Sequence, residues 1–424
     1  MKQKTPIEWN GEDDFMRNPP SQLSYREQHP VTCKRLVFVA ALLLALSTCH
    51  AFAQIARNDF KVVNVADSTQ SFGGFSQFPA INNRGAVAFV ATRTGLGQGV
   101  FKWRQGRITT IAQSGGVLIF FADDVVINAA GVVGYDAALS NGVNNRAIFT
   151  SNGIWTRTIV DASQQGFIGR FLGSPSINAS GTVSFFAARN NRSQAVFTGN
   201  GGALTTVADT TNTMFSGFGN TAINDSGEVT FPGSRTDGSR GVFIATPVED
   251  QADEHDAPPV TPGTISAVGG PNNPVFSDPF VSFGDPVINE AGIVADVAFL
   301  SGGNLEIFTG DGSGTTARTD PSSPFFTSSE HPSLNNRGAV AFYANELSGG
   351  VGIFVELTGG ASPMAVIGAG DALFGSTVTG LDLGRFALND RDQLAFHYDL
   401  QDGRSGVAIV SLHGEKEEER ESER

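Results

Sequence analysis

The chain has 424 residues, 42 of them acidic against 28 basic, a formal net charge of −14 and only 17% charged residues. An acidic surface repels phosphate backbones and anionic lipid, which sets nucleic acid and membrane surfaces aside as expected partners. No 3.6-residue apolar pattern follows residue 53, and short runs of Val, Ile, Thr and Phe between Gly, Asn, Asp and Ser clusters predict an all-β fold.

In chain order, the first element is an export signal over residues 1–53. Lys34 and Arg35 precede an apolar run from Leu36 to Leu46, and Ala51-Phe52-Ala53 fits the small-x-small cleavage pattern, so cleavage is predicted after Ala53. A start at Val31, read from a GTG codon, would give an ordinary signal of 23 residues. Leu46-Ser47-Thr48-Cys49 offers a lipobox alternative with a poorly fitting Thr. The apolar run is short for a membrane span. Cys33 and Cys49 both precede the cut, so the mature chain is predicted to carry no disulfide, and its 22 basic and 37 acidic residues leave −15.

A phrase then recurs seven times: an apolar residue, an anchor Asn and, three residues on, Gly. The pairs are Asn82 with Gly85, Asn128 with Gly131, Asn178 with Gly181, Asn224 with Gly227, Asn289 with Gly292 and Asn335 with Gly338; the seventh, Asn389, is followed by Asp392 instead. The anchors are 46, 50, 46, 65, 46 and 54 residues apart, a period suited to four-stranded propeller blades. A second landmark, Phe101, Phe197, Phe243, Phe308, Phe354 or Ala408, falls 19 residues after its anchor; Phe149 falls at 21.

The chemistry of the phrase predicts a hairpin. An Asn side chain bonds the backbone two residues on, Gly takes positive φ without steric cost, and alternation resumes in the next strand, with Val87 and Phe89 on one face and Ala86 and Ala88 on the other. These Asn and Gly residues are therefore expected to be structural. Third strands begin at triplets such as Gly99-Val100-Phe101. Fourth strands include Ile108–Ala112, Thr158–Asp161, Leu204–Asp209, Ile265–Val268 and Met364–Ile367.

The seventh copy ends at Leu412 without a fourth strand, while Phe60–Asp67 matches that pattern ahead of the first anchor. The fold class predicted is an all-β, seven-bladed β-propeller over residues 54–412, its last blade completed by the N-terminal strand, with no free sheet edge at the seam. An acidic insertion over 247–262 precedes a late fourth strand, and 413–424 form a charged, disordered tail. Asp296 replaces an aromatic in copy five, so packing there must differ, and Asp392 in place of Gly should weaken its turn.

The phrase resembles the NxxGxxAF repeat family of exported bacterial proteins. Asn82, Gly85, Ala88 and Phe89 match it fully, as do Asn335, Gly338, Ala341 and Phe342, while Ser184 and Thr230 replace Ala. It is also similar to the blade pattern of TolB-like propellers. The resemblance implies a fold and a periplasmic or extracellular destination, not an activity.

No nucleophile elbow, zinc motif, phosphate loop, dinucleotide fingerprint or EF-hand loop occurs, so no cofactor is called for. His255, His331, His397 and His413 fall apart in sequence, without metal spacing. The acidic loop from Glu249 to Asp256 is where a Ca2+ would gather, against a plain reading as a solvated charge run. Asp67, Asp161, Asp209, Asp320 and Asp371 recur near fourth strands, either to line a channel mouth or, more simply, to start turns. Asp123 and Asp124, or Asp382 and Asp399, are candidate carboxylate pairs for glycoside chemistry. Trp103 and Trp155 are read as corresponding positions, exposed or packed between blades. The leading expectation is an exported binding or scaffold module that takes a protein or glycan ligand at a propeller face. The alternative is an envelope or secreted enzyme acting on carbohydrate or another polymer.

Overall fold

The computed structural model describes residues 60–142, 145–211, 213–247, 265–269, 282–299, 305–319, 325–328, 331–346, 350–358 and 363–413. The predicted signal, the acidic insertion beyond Pro247 and the tail beyond His413 lie outside the described residues.

The structure is a seven-bladed β-propeller of antiparallel sheets. Blade one shows how the repeat builds a sheet. Its inner strand is interrupted, as Phe72–Phe75 and Ala80–Ile81; Val87–Arg93, Gly97–Arg104 and Arg107–Gln113 follow outward. Between inner and second strands, Asn82 Oδ1 accepts from the amides of Arg84 at 3.0 Å and Ala86 at 2.9 Å, and Gly85 sits at φ +72°, where a Cβ would be strained. The same positive φ recurs at Gly131, Gly181, Gly227, Gly292 and Gly338.

Blade seven closes the ring. Its strands Ser376–Asp382, Gln393–Leu400 and Ser405–Ser411 are completed by Lys61–Asp67, which runs antiparallel to the last, from Lys61 opposite Ser411 to Asp67 opposite Gly406. The late fourth strand of blade four is Ile265–Gly269, paired with Arg240–Ala245.

Seven apolar clusters hold the blades together, one per interface. In the second strand of blade one, Val87, Phe89 and Ala91 face blade seven's Ala395, Val407 and Ile409, whereas Ala88 and Val90 face blade two's Val125 and Tyr135. A strand buried on both faces loses the polar alternation of a half-exposed one, so the blades read as continuous apolar runs. Within blades, the second-strand aromatic stacks on the third-strand landmark: Phe89 on Phe101, Tyr135 on Phe149 and Phe185 on Phe197 at 5.6 Å, Phe231 on Phe243 at 6.0 Å, Phe342 on Phe354 at 5.8 Å. Blade five has Asp296 opposite Phe308 in this place, and blade seven has Phe396 opposite Ala408.

Candidate functional site in the axial channel

The seven anchor asparagines do more than start turns. While each Oδ1 holds its own hairpin, each side-chain amide donates to the backbone carbonyl of the next blade's anchor. Asn82 reaches Asn128, then Asn178, Asn224, Asn289, Asn335 and Asn389, and Asn389 returns to Asn82, at 2.9 to 3.2 Å. All seven are buried. The result is a closed circle of hydrogen bonds at one end of the channel. Asp392, in the Gly position, keeps the positive φ at 51° and gives its buried carboxylate to Asn335 Nδ2 at 2.8 Å and to Arg337. The predicted weakening of that turn is thus offset by bonds to the neighbouring blade, because Asp tolerates the left-handed region and carries an acceptor.

Four residues before each anchor lies a second ring: Phe78, Asp124, Ser174, Asn220, Asp285, His331 and Arg385. Unlike the anchors, no two adjacent blades repeat a residue here. Ser174 Oγ donates to Asp124 at 2.6 Å, its amide to Asn220 Oδ1 at 3.0 Å, and Asn220 Nδ2 to Asp285 at 2.9 Å, linking blades two to five. Arg385 of blade seven crosses the axis to donate Nη1 to the carbonyl of Thr221 in blade four at 3.1 Å, with its guanidinium 5.1 Å from the Phe386 ring. Phe386 lines both the anchor-side cavity and the narrow gap beside Asp124, and Arg385 lines that gap with it. Gly384 permits the approach, since a Cβ there would stand 2.7 Å from the Pro79 carbonyl oxygen.

Burial sets the electrostatics of this ring. Arg385 is 3% exposed, and its Nη2 has no hydrogen-bond partner among the described residues. Burial pushes the His331 imidazole below its ordinary value, against the opposing pull of Asp124 and Asp285 and with Arg385 acting in the same direction as burial; its Nε2 donates to the Leu383 carbonyl at 3.0 Å. Behind the ring, Asp296 is fully buried with Oδ2 unpartnered among the described residues, and burial drives its carboxyl well above the usual range. Asp136 is also raised by burial, to about 6, although Arg146 opposes this with a two-point pair at 2.9 and 2.8 Å. Asp124, Ser174, Asn220 and Asp285 are half-buried, and so able to meet a ligand. The two carboxylates can accept, and the serine and asparagine can do either, which suits a ligand rich in hydroxyl or amide groups.

The remaining candidates are placed as follows. Asp67, Asp161 and Asp209 each accept from an amide two residues on, at 2.8, 3.0 and 2.9 Å, which is turn chemistry away from the channel. Asp371 accepts from Gly368 at 2.7 Å, and Asp320 is outside the described residues. Asp123 is exposed while Asp124 joins the ring. Asp382 and Asp399 are brought together around the buried His397: Asp382 lies 3.0 Å from Nδ1 and Asp399 4.0 Å from Nε2. Trp103 and Trp155 do not correspond. Trp103 pairs with Val87, and the equivalent partner of Val133 is Ser151, so Trp155 falls in the following turn, exposed. The insertion residues Glu249 to Asp256 are outside the described residues, among which no three His, Cys, Asp or Glu side chains are placed to hold a metal ion. No helix among them is long and apolar enough to cross a membrane.

Reading the sequence missed both rings. The anchor amides bond a chain neighbour 46 or more residues away, which no local pattern reveals. The second ring was visible in principle, by counting four residues back from every anchor. His331 and Asp124 had no local motif, yet they share one repeat position.

A family model described as Family of unknown function (DUF7453) matches residues 63–317, and it is this model, not that of the NxxGxxAF repeats, that matches. No curated protein matches the chain in sequence. Among solved structures, oligogalacturonate lyase from Vibrio parahaemolyticus is 11% identical over 84% of this chain and 97% of its own, with a TM-score of 0.51. An oligogalacturonate lyase in complex with manganese is 10% identical over 84% and 96%, also at 0.51. TolB from Acinetobacter baumannii is 16% identical over 69% of this chain, with a TM-score of 0.41, and the chain spans 63% of its length. Likeness at these identities is one of fold alone.

Proposed function

Because the chain belongs to the family of unknown function DUF7453, and a propeller carries no activity of its own, we propose from the site that it is an exported binding module whose ligand meets the ring from Phe78 to Arg385. The observation that supports this is the contrast between two ring positions of one repeat. The anchors are Asn in all seven blades, as a structural job requires, while the ring four residues earlier is chemically diverse, polar and half-open in four blades. Diversity at one position of an otherwise uniform repeat is what recognition of an asymmetric ligand needs.

Export rests on the Lys34-Arg35, Leu36–Leu46 and Ala51-Phe52-Ala53 pattern, and the ligand class on the carboxylates, amide and hydroxyl of the ring: a glycan or a polar protein segment. The test is a thermal-shift screen against envelope glycans, using the chain from Gln54 and its Asp124→Asn/Asp285→Asn form. A ligand at about a hundred times its Kd adds about 2.7 kcal/mol. Stabilisation that the double variant loses, with its own transition intact, is expected; stabilisation that it keeps in full places the ligand elsewhere.

The second reading, an enzyme acting on carbohydrate, draws on His397 held between Asp382 and Asp399. It predicts polysaccharide turnover that Asp382→Asn abolishes, and turnover would displace the binding reading.

A further inference from the structure

Three Asn-Gly pairs fall among the described residues: Asn141-Gly142, Asn152-Gly153 and Asn200-Gly201. The last two hold the same place in successive blades, in the hairpin between third and fourth strands, three residues after Phe149 and Phe197. Asn is a thermolabile residue, and a following Gly makes it more so. Glycine has no Cβ to keep its amide nitrogen from the asparagine Cγ, and the five-membered ring that then forms closes between chain neighbours, with no second molecule to bring up. What the surroundings add differs from pair to pair.

In blade two the chemistry is held back. The Gly153 amide donates to Ser151 Oγ at 3.1 Å, so the nitrogen that must attack is engaged. Asn152 Oδ1 accepts from the amides of Ile154 at 2.9 Å and Trp155 at 3.1 Å, but a polarised carbonyl without a free nucleophile does not react. At Asn141 the side-chain oxygen meets a neutral donor, Asn145 Nδ2, at 2.8 Å. Blade three reverses this. Gly201 is exposed at φ +77°, and its amide has no acceptor among the described residues. Asn200 Oδ1 accepts from a cation, Arg157 Nη1 of blade two, which also donates to the Asn200 backbone carbonyl at 3.2 Å. The arginine is placed from both sides. Its guanidinium lies 5.7 Å from the Trp155 ring, and its stem runs so close to the turn that a Cβ on Gly201 would stand 2.4 Å from Arg157 Cδ.

We propose that Asn200-Gly201 is a self-modification site, at which Arg157 promotes conversion of Asn200 to aspartate or isoaspartate. A solvent base takes the Gly201 amide proton, and the nitrogen attacks Asn200 Cγ. As the new C–N bond forms, the carbonyl opens and negative charge collects on Oδ1, opposite the guanidinium. The carbonyl re-forms, the Cγ–Nδ2 bond breaks, and Nδ2 leaves as ammonia with a proton from water. Water then adds to either carbonyl of the succinimide and breaks its bond to the Gly201 nitrogen, which takes its proton back. Opening at Cγ gives aspartate, and opening at the backbone carbonyl gives isoaspartate. One water is consumed and one ammonia released. In the aspartate form the new carboxylate stays opposite Arg157, so a bond from a cation to a neutral amide becomes an ion pair between blades two and three.

The test incubates the whole mature chain, folded and in urea, in mildly alkaline buffer. Peptide mass mapping reads conversion at each pair, and enzymatic methylation reads isoaspartate. In the folded chain Asn200 should convert about fivefold faster than Asn152 or Asn141, the effect of one charge-assisted bond weakened by solvent. In urea the three should convert at closely similar rates. Arg157→Leu should slow Asn200 about fivefold in the folded chain and leave its rate in urea unchanged. Where that variant melts lower than wild type, the ratio of folded to urea rates in the wild type decides: it must be highest at Asn200. Conversion of Asn152 or Asn141 as fast as Asn200 in the folded chain, or an Asn200 rate that a normally melting Arg157→Leu leaves unchanged, would overturn the proposal.

Discussion

Asn178→Asp separates the two jobs of an anchor. The carboxylate keeps the oxygen that accepts from Thr182 N at 2.9 Å and Ser180 Oγ at 2.7 Å, so the turn survives, and Asp starts such turns as well as Asn does. What is lost is the amide that reaches the Asn224 carbonyl at 3.2 Å, and in its place a carboxylate oxygen faces that carbonyl at a position 6% exposed. The missing bond costs about 1 kcal/mol and the unpaired buried charge about 2 more. For a domain of this size, about 3 kcal/mol lowers Tm by roughly 4 °C at pH 7. Burial and the facing carbonyl raise the folded-state pKa of the new carboxyl above its unfolded value near 4. The penalty is therefore absent below the unfolded value and grows as pH rises through the folded one. At pH 4 the protonated group donates to the carbonyl as the amide did, and the gap to wild type closes. Thermal unfolding of both proteins, side by side from pH 4 to pH 8, reads this directly. A variant with the wild-type Tm at pH 7 would refute the inter-blade lock and leave the anchors as turn formers alone.

Removing residues 60–67 should lower stability by about 5 kcal/mol or more, since Val65 and Ala66 lose their burial and a strand edge opens along Ser405–Ser411; an unchanged melting point would refute closure. Arg146→Leu leaves Asp136 buried without its partner and should cost about 3 kcal/mol at pH 7. That cost should shrink as pH falls toward about 6, because without Arg146 the carboxyl takes up its proton at higher pH than in wild type, and a pH-independent loss in chemical denaturation would contradict this. Asp296, with its raised pKa, contributes stability that is complete at acid pH and is lost as pH rises through the folded value. Asp296→Asn should therefore match wild type near pH 4 and exceed it at alkaline pH; a variant that falls behind with rising pH would refute the protonated state.

The fold was legible because a propeller repeats its constraints. Asn82 and Gly85 announce a hairpin seven times over in slightly different words, and the unmatched strand pattern at Phe60–Asp67 had one place to go. The inner strand was harder. Its aromatics Phe72, Phe167 and Phe215 pack on the landmarks Phe101, Phe197 and Phe243 at 5.0 to 5.2 Å. Yet they stand at different distances from their anchors, because the inner strand is interrupted and absorbs insertions. The site was least legible, since its members share a position in space and not a motif. Arg385 meets Thr221 across 164 residues of chain.

The seam in blade seven also has a consequence in time. Lys61 and Ser411 are strand partners at opposite ends of the propeller sequence, so the first of the described strands to leave the ribosome must wait for the last of them before it can pair. Until then the chain carries an unpaired strand, and the ring cannot shut. Such long-range pairing slows folding and exposes edges meanwhile. It also gives the finished molecule an all-or-none character: a chain that stops short of Ser405 has seven anchors in hand and nothing to fasten them with.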